Sequence, residues 1–306
     1  MMKKYWNYGP ILVITAAILW ALDGIIRRSL YVLPPITIVF FEHLVGFLVI
    51  APFFLPKLKG QKWTKKEMVA MGAIALFSSL LGTLWFTTAL LKTNYISFSV
   101  VYLLQKLQPI FAISAASVLL HEKIDRRYLK WAVLALVAAY FVTFKNGHVD
   151  FGTGSGTFEA AAYAFGAAVL WGSSTALSRM VLLTKPSVVV TGLRFALTVP
   201  MALLGVIILG SWSSVPSLNG SELLRFIFIA LSTGMVALYI YYRGLKRTET
   251  KITTLLELVF PVLAVFIDAV GYHTLLAPTQ YLAALVLLFA IYRLSLLQKS
   301  SAKILD

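Results

Sequence analysis

Cysteine is absent from the 306 residues. That absence excludes disulfides, thiolate catalysis and cysteine-based metal sites. Charge is scarce as well. Asp, Glu, Lys and Arg make up 13% of the chain, against roughly 25% in an ordinary soluble domain. Acidic side chains are the rarest, 12 against 27 basic ones. The only histidines are His43, His121, His148 and His273, and the last three fall at or beyond the ends of apolar runs. They are too few and too scattered for a buried metal centre. The chain has no His-Glu-x-x-His, no Gly-x-Ser-x-Gly and no phosphate loop. No cofactor is expected, and no nucleotide is available as an energy source.

What the chain does have is apolar surface, at 59% of residues. A soluble globule of this size cannot hide so much, because part of every globule faces water. A bilayer removes that limit. A membrane-crossing helix needs about 20 mostly apolar residues. Ten stretches qualify, near 9–29, 36–56, 68–91, 95–120, 128–145, 158–180, 187–210, 222–243, 251–271 and 276–297. Short polar or proline-bearing breaks separate them, and no alternating strand pattern competes.

The formal charge of +15 suggests nucleic acid in a soluble protein. Here the positions decide otherwise. With the N-terminus inside, 20 of the 27 Lys and Arg fall on the cytoplasmic side, 5 outside (Arg27, Arg28, Lys92, Lys145 and Arg225) and 2 within spans. Such a bias orients membrane proteins. Both termini are expected in the cytoplasm, in a multi-pass protein of the plasma membrane with no nucleic-acid partner. Trp63, Trp212 and Tyr281, near span ends, read as interfacial anchors.

The sequence repeats. Ala17-Ile18-Leu19-Trp20 matches Ala168-Val169-Leu170-Trp171 at an offset of 151, which also carries Arg28 to Arg179, Pro35 to Pro186 and His43 to Arg194. Gln108-Pro109-Ile110-Phe111-Ala112 resembles Phe260-Pro261-Val262-Leu263-Ala264 at an offset of 152. Five spans per half is an odd number, so the second half enters the membrane from the opposite side, as in many secondary transporters. The expected fold is all-α and integral to the membrane, with ten transmembrane helices in two inverted five-helix repeats. The first repeat occupies 1–147, a Gly-rich linker 148–157 and the second repeat 158–306.

These features resemble the EamA-type transporters of the drug/metabolite transporter superfamily. The residues that carry the likeness are the Trp20 and Trp171 segments, the Pro109 and Pro261 helices, and the run from Pro109-Ile110-Phe111-Ala112 to Leu120-His121-Glu122-Lys123. It spans roughly residues 9–297. The resemblance implies helices around a central cavity, alternating access and export of amino acids, other metabolites or toxic compounds. The expected partners are a small-molecule solute, the lipid bilayer and protons, with a homodimer left open. Two departures stand out. Thr274 replaces the glutamate in the second half, and Asp23 sits where many relatives carry a small or amide residue.

Charges inside spans locate the candidate site. Each costs about 2.5–3.5 kcal/mol at the bilayer centre, so Asp23, Glu42, Lys106, Arg194 and Glu257 are expected to face the interior. Depth along the helices places Asp23, Glu42 and His43 in an outer cluster, Arg194 and Glu257 in an inner pair, and Lys106 near the midplane. Asp23 also has Arg27 four residues on as a plain helical partner. Glu42 and His43 are adjacent and diverge by about 100°, so Glu42 is expected inward. Gln105 and Gln108 flank Lys106, and Pro109 frees a carbonyl one turn back. Trp20, Trp85, Trp171, Tyr239 and Tyr242 are candidate aromatic walls. Gly82 and Gly234 read as close helix contacts.

The reading that follows is a secondary transporter, an exporter of an amino acid or similar small metabolite. Protons are the expected coupling ion, with Glu42, Asp23 or Glu257 as carriers. The competing classes are an intramembrane enzyme, and a channel or non-transporting membrane protein.

Overall fold

The computed structural model describes residues 8–92, 95–119, 127–148, 156–216, 218–248, 253, 256–257 and 259–297. The His121-Glu122-Lys123 run and the linker glycines Gly152 and Gly154 lie outside the described residues. All described regular structure is helical. The helices are α1 (Gly9–Arg28), α2 (Pro35–Leu58), α3 (Lys65–Leu91), α4 (Phe98–Gln105), α5 (Gln108–Leu119) and α6 (Arg127–Thr143) in the first half. The second half holds α7 (Gly156–Thr184), α8 (Ser187–Ile208), α9 (Gly220–Leu231), α10 (Met235–Arg247), α11 (Val259–Gly271) and α12 (Pro278–Leu297). Among the described residues, seven helical stretches are long and apolar enough to cross a bilayer, and two shorter apolar helices accompany them. Leu129, Val133, Leu204, Ile208, Leu224, Phe228, Leu282 and Leu285 point outward and are exposed. That is the surface expected against lipid.

Helix ends follow local chemistry. Pro35 and Pro278 open α2 and α12, where a missing N–H costs nothing. Thr64 with Glu67, and Asn219 with Glu222, form reciprocal capping boxes at the starts of α3 and α9.

Two expected spans are broken and one is widened. The stretch near 95–120 splits into α4 and α5 at Lys106 and Leu107, because Pro109 can donate no hydrogen bond to the turn before it. Tight turns replace the ladder there, with Leu107 N–H donating to the Leu104 carbonyl and Ile110 N–H to Leu107. The stretch near 222–243, expected as continuous, breaks at Ser232-Thr233-Gly234. Serine, threonine and glycine are poor helix formers, and Ser232 Oγ is engaged by its own backbone at Phe228. The middle of α3, Ile74–Gly82, is wound as a π-helix, a widened turn common at functional positions.

The halves interdigitate. One end of the bundle, the Arg28 end, holds the C-terminus of α1. There Lys92 pairs with Glu159 at 2.9 Å and Arg225 donates to the Ser29 carbonyl at 2.5 Å. At the other, the Lys185 end, Lys185 lies 3.1 Å from Glu67 and donates to the Lys62 carbonyl at 2.5 Å. Helix α1 runs toward the Arg28 end and its repeat counterpart α7 runs away from it, as an inverted repeat requires. Two pairs of counterparts pack on each other, α2 on α8 and α6 on α12, and α4 packs on α11 across the halves. The largest buried cluster joins α4, α6, α7, α11 and α12 around Tyr102, Leu103, Ala138, Ala167 and Leu287.

Small residues set the closest approaches. A Cβ on Gly172 of α7 would sit 2.4 Å from the Gln108 carbonyl oxygen of α5. Backbone cannot rotate out of the way as a side chain can. Replacing Gly172 with Ala is therefore expected to cost about 1–3 kcal/mol, read as a lower melting temperature of the purified protein. A melting temperature equal to wild type would mean that α5 and α7 have slack the structure does not show.

Candidate functional site

Between the two ends lies a cavity of about 160 Å³. Both halves build it, and the repeat shows how. Trp20 and Trp171, Asp23 and Ser174, Arg27 and Ser178, and His43 and Arg194 are counterparts at the 151 offset. Gln105 and Glu257, and Gln108 and Phe260, are counterparts at 152. Every one of these residues lines the cavity. The site therefore sits where the pseudo-two-fold axis brings equivalent positions face to face.

Toward the Arg28 end, Arg27 organises a buried network. Its Nε donates to Asp23 Oδ2 at 2.7 Å, and its Nη1 to Glu42 Oε2 at 2.9 Å and Thr87 Oγ1 at 3.0 Å. Thr233, in the break between α9 and α10, donates to Asp23 Oδ1 at 2.6 Å. The break thus brings a hydroxyl from the second half onto a carboxylate of the first. Asp23 does pair with its i+4 neighbour. Arg27, however, is almost fully buried and not in an outer loop, because two carboxylates compensate its charge.

In the middle, Lys106 lies at the break between α4 and α5, 3.7 Å from Glu257 Oε2. Its ammonium sits 4.4 Å from the Phe260 ring centroid. Tyr241 OH donates to Glu257 Oε1 at 2.9 Å. The expected inner pair of Arg194 and Glu257 is not formed. Arg194 donates instead to Ser79 Oγ at 2.5 Å, Tyr242 OH at 2.8 Å and Ser78 Oγ at 2.9 Å. Matched depth is not matched direction. The widened turn in α3 swings Ser78 and Ser79 under Arg194, while Lys106, across the break, claims Glu257. Among the described residues, no ion pair involves Arg194. It is a buried cation held by neutral hydroxyls.

His43 also reaches the cavity beside Glu42, against the expectation that only one of them could. Its Nδ1 lies 2.8 Å from the Val39 carbonyl, and its ring packs on Phe195 at 5.0 Å. A 100° separation excludes two neighbours from a narrow groove but not from a cavity several helices wide.

The aromatic walls divide differently from the sequence expectation. Trp20, Trp171 and Tyr242 face the cavity, joined by Phe86, Tyr241 and Phe260. Trp20 packs on Tyr241 at 4.9 Å, and Phe86 on Trp171 at 5.2 Å. Trp171 Nε1 donates to the Ser78 carbonyl at 2.7 Å. Trp85 and Tyr239 lie off this lining. Trp85 fills the notch over Gly166 of α7, and Tyr239 packs among the α2 and α8 side chains near Arg243. Position 242 shares its cavity-facing surface with 241 rather than 239.

Several lining residues gave little sign in the sequence. Ser78 and Thr233 are small hydroxyls in apolar runs, and only the irregular backbone at each aims them inward. Arg27, Ser174 and Ser178 were legible through the repeat, since each is the counterpart of another lining residue or lies one turn from Asp23. Asp268, at the end of its apolar run, lies outside the cavity. It is buried and accepts the Ser99 backbone N–H at 2.7 Å, tying α11 to the start of α4.

The profile of the EamA-like transporter family matches residues 7–144 and again 159–296. A curated relative, a protein from Fusobacterium nucleatum subsp. nucleatum described as "Riboflavin transporter ImpX", is 33% identical over 290 residues. The match covers 94% of this chain and 97% of that protein. A solved crystal structure superposes with a TM-score of 0.65 at 19% identity, covering 95% of this chain and 97% of the other. That likeness supports the fold.

Proposed function

Since the chain belongs to the EamA-like transporter family, and so is a multi-pass membrane transporter, we propose that it carries riboflavin or a close flavin by alternating access. The observation behind this reading is the cavity wall, taken with the identity to the riboflavin transporter. Riboflavin is a flat, uncharged heterocycle bearing a polyhydroxyl chain. Trp20, Phe86, Trp171, Tyr241 and Phe260 offer ring faces for the heterocycle. Ser78, Ser174, Thr175, Ser178 and Arg194 offer partners for hydroxyls. The Asp23, Arg27 and Glu42 charges call for no charged solute, because they already satisfy one another. A zwitterion would have to compete with bonds of 2.7 and 2.9 Å.

One observation favours the alternative of an amino acid or similar metabolite. The cavity of about 160 Å³ is smaller than the roughly 300–1,000 Å³ of sites that enclose drug-sized ligands. A flavin requires the cavity to widen, and the Lys106–Glu257 contact is the longest ion pair available to part. Glu257 is likewise our choice for the proton carrier, since Asp23 and Glu42 are held by Arg27. Both termini are placed in the cytoplasm on the Lys and Arg bias, and the resemblance makes export the direction.

The test is flux from proteoliposomes loaded with riboflavin together with an amino-acid pool, with and without a pH gradient. Protein-dependent loss of riboflavin, accelerated by the gradient, is the expected result. Selective loss of an amino acid with riboflavin retained would sink the flavin reading in favour of the smaller solute. Flavin flux indifferent to the gradient would remove the proton.

A further inference from the structure

We infer that the Gln105 side-chain amide is the specificity reader of this site, pairing with the –NH–CO– edge of a cyclic imide in the solute. Six buried side-chain polar atoms have no hydrogen-bond partner among the described residues. Three of them, Gln105 Oε1, Gln105 Nε2 and Ser174 Oγ, belong to residues that line one cavity. Buried polar groups are rarely left unpaired, and each exception calls for an explanation. Gln105 is fully buried, so neither bulk water nor a rotation to the surface relieves it.

An amide whose acceptor and donor are both unsatisfied has a specific complement. Its carbonyl accepts from an N–H while its NH2 donates to a C=O beside that N–H, giving two parallel hydrogen bonds. The same pairing lets Asn and Gln read a base edge. A cyclic imide presents such an edge, with a carbonyl on either side of the N–H. Lys106, next in sequence, has three N–H donors, and its partners here are a 3.7 Å contact to Glu257 and the face of the Phe260 ring. It suits the imide's second carbonyl. The repeat explains why the role falls to Gln105. Its counterpart Glu257 stands at the equivalent place in the other half, but a carboxylate there is occupied by Tyr241 and Lys106 and accepts without donating. Of the two positions, only Gln105 supplies both signs of hydrogen bond. The break after α4 holds it in place, with the Gln105 backbone in the last helical turn.

The flavin reading enters here only through the name of the solute, since the isoalloxazine ring carries such an imide. The experiment separates the two ideas. Binding to the purified full-length protein is measured for riboflavin, N3-methylriboflavin, lumazine and uracil, for wild type and Gln105→Leu, with melting temperatures as a check on folding. N3-methylation removes the donor and blocks the edge. Wild type is expected to prefer riboflavin over its N3-methyl form by about tenfold or more, the usual worth of one or two buried hydrogen bonds. Gln105→Leu is expected to bind riboflavin about tenfold more weakly and to lose the preference. Failure of riboflavin to bind, with lumazine or uracil bound in a Gln105-dependent way, would remove the flavin reading and leave this inference standing. A wild-type protein indifferent to N3-methylation, a folded Gln105→Leu that keeps the preference, or a protein that binds no imide would each overturn it. An ordered water satisfying Gln105 predicts the second of these results. If Gln105→Leu does not fold, the wild-type comparison decides alone.

Discussion

Replacing Arg27 with Met is expected to destabilise the protein by about 3–5 kcal/mol, the range for removing one partner from a buried ion pair. The reason is what stays behind. Asp23 and Glu42 each give a carboxylate oxygen to the guanidinium, at 2.7 and 2.9 Å. Without it, two buried anions share one site, with Thr233 left to donate to Asp23. The loss would appear as a fall in the melting temperature of the purified protein, together with reduced folded yield. A second variant makes the argument specific. Adding Asp23→Asn and Glu42→Gln to Arg27→Met removes the stranded charges while keeping the shapes, and is expected to recover most of the stability. Arg27→Lys keeps the charge but not the two-directional fork, so an intermediate loss is expected. Arg27→Met as stable as wild type would mean that the network is not the tie the geometry describes.

The second large effect concerns ligand affinity. Arg194→Met is expected to weaken riboflavin binding by about tenfold to a hundredfold, since a hydrogen bond from a charged group is worth about 1.5–3 kcal/mol. Arg194 is buried with three hydroxyl partners and no acidic one among the described ion pairs. Glu42, the carboxylate that it feels at longer range, is already bonded to Arg27, and a charge kept inside a membrane protein with no carboxylate bonded to it is costly, which points to a role beyond packing. On the flavin reading, that role is a hydrogen bond to the polyhydroxyl chain of the solute. Lumiflavin, which keeps the isoalloxazine ring and carries a methyl group in place of that chain, is the control. Arg194→Met should leave lumiflavin binding near wild type while riboflavin binding falls. Equal losses for both ligands would mean that Arg194 only supports the shape of the cavity. Unchanged riboflavin affinity in a folded variant would place the polyhydroxyl chain elsewhere.

Both predictions lean on the irregular places in the helices. A regular α3 would not present Ser78 and Ser79 together to Arg194, and an unbroken α9–α10 would not bring Thr233 to Asp23. Hydropathy is blind to both features, because neither a π-turn nor a Ser-Thr-Gly break changes the apolar sum over 20 residues. The break at Lys106 was foreseeable because Pro109 announces it. The pairing of Lys106 with Glu257 was not, since Lys106 sits at a break and Glu257 in a turn ahead of α11, and their directions depend on how those two places meet.

The sequence by itself determined the membrane class, the ten apolar stretches, the inverted duplication and most of the chemistry at the cavity. These follow from composition and period, which are properties of the chain taken a few residues at a time. The duplication did more than set topology. Applied to the lining, it identifies a residue such as Ser174 from its counterpart Asp23. Tertiary structure alone decided who pairs with whom. Depth along a helix is a local count, but a partner depends on the rotation of each helix and on what its neighbours already claim. That is why Arg194 holds hydroxyls instead of Glu257, why Arg27 lies inside, and why Trp85 and Tyr239 pack between helices while Phe86 and Tyr241 face the cavity.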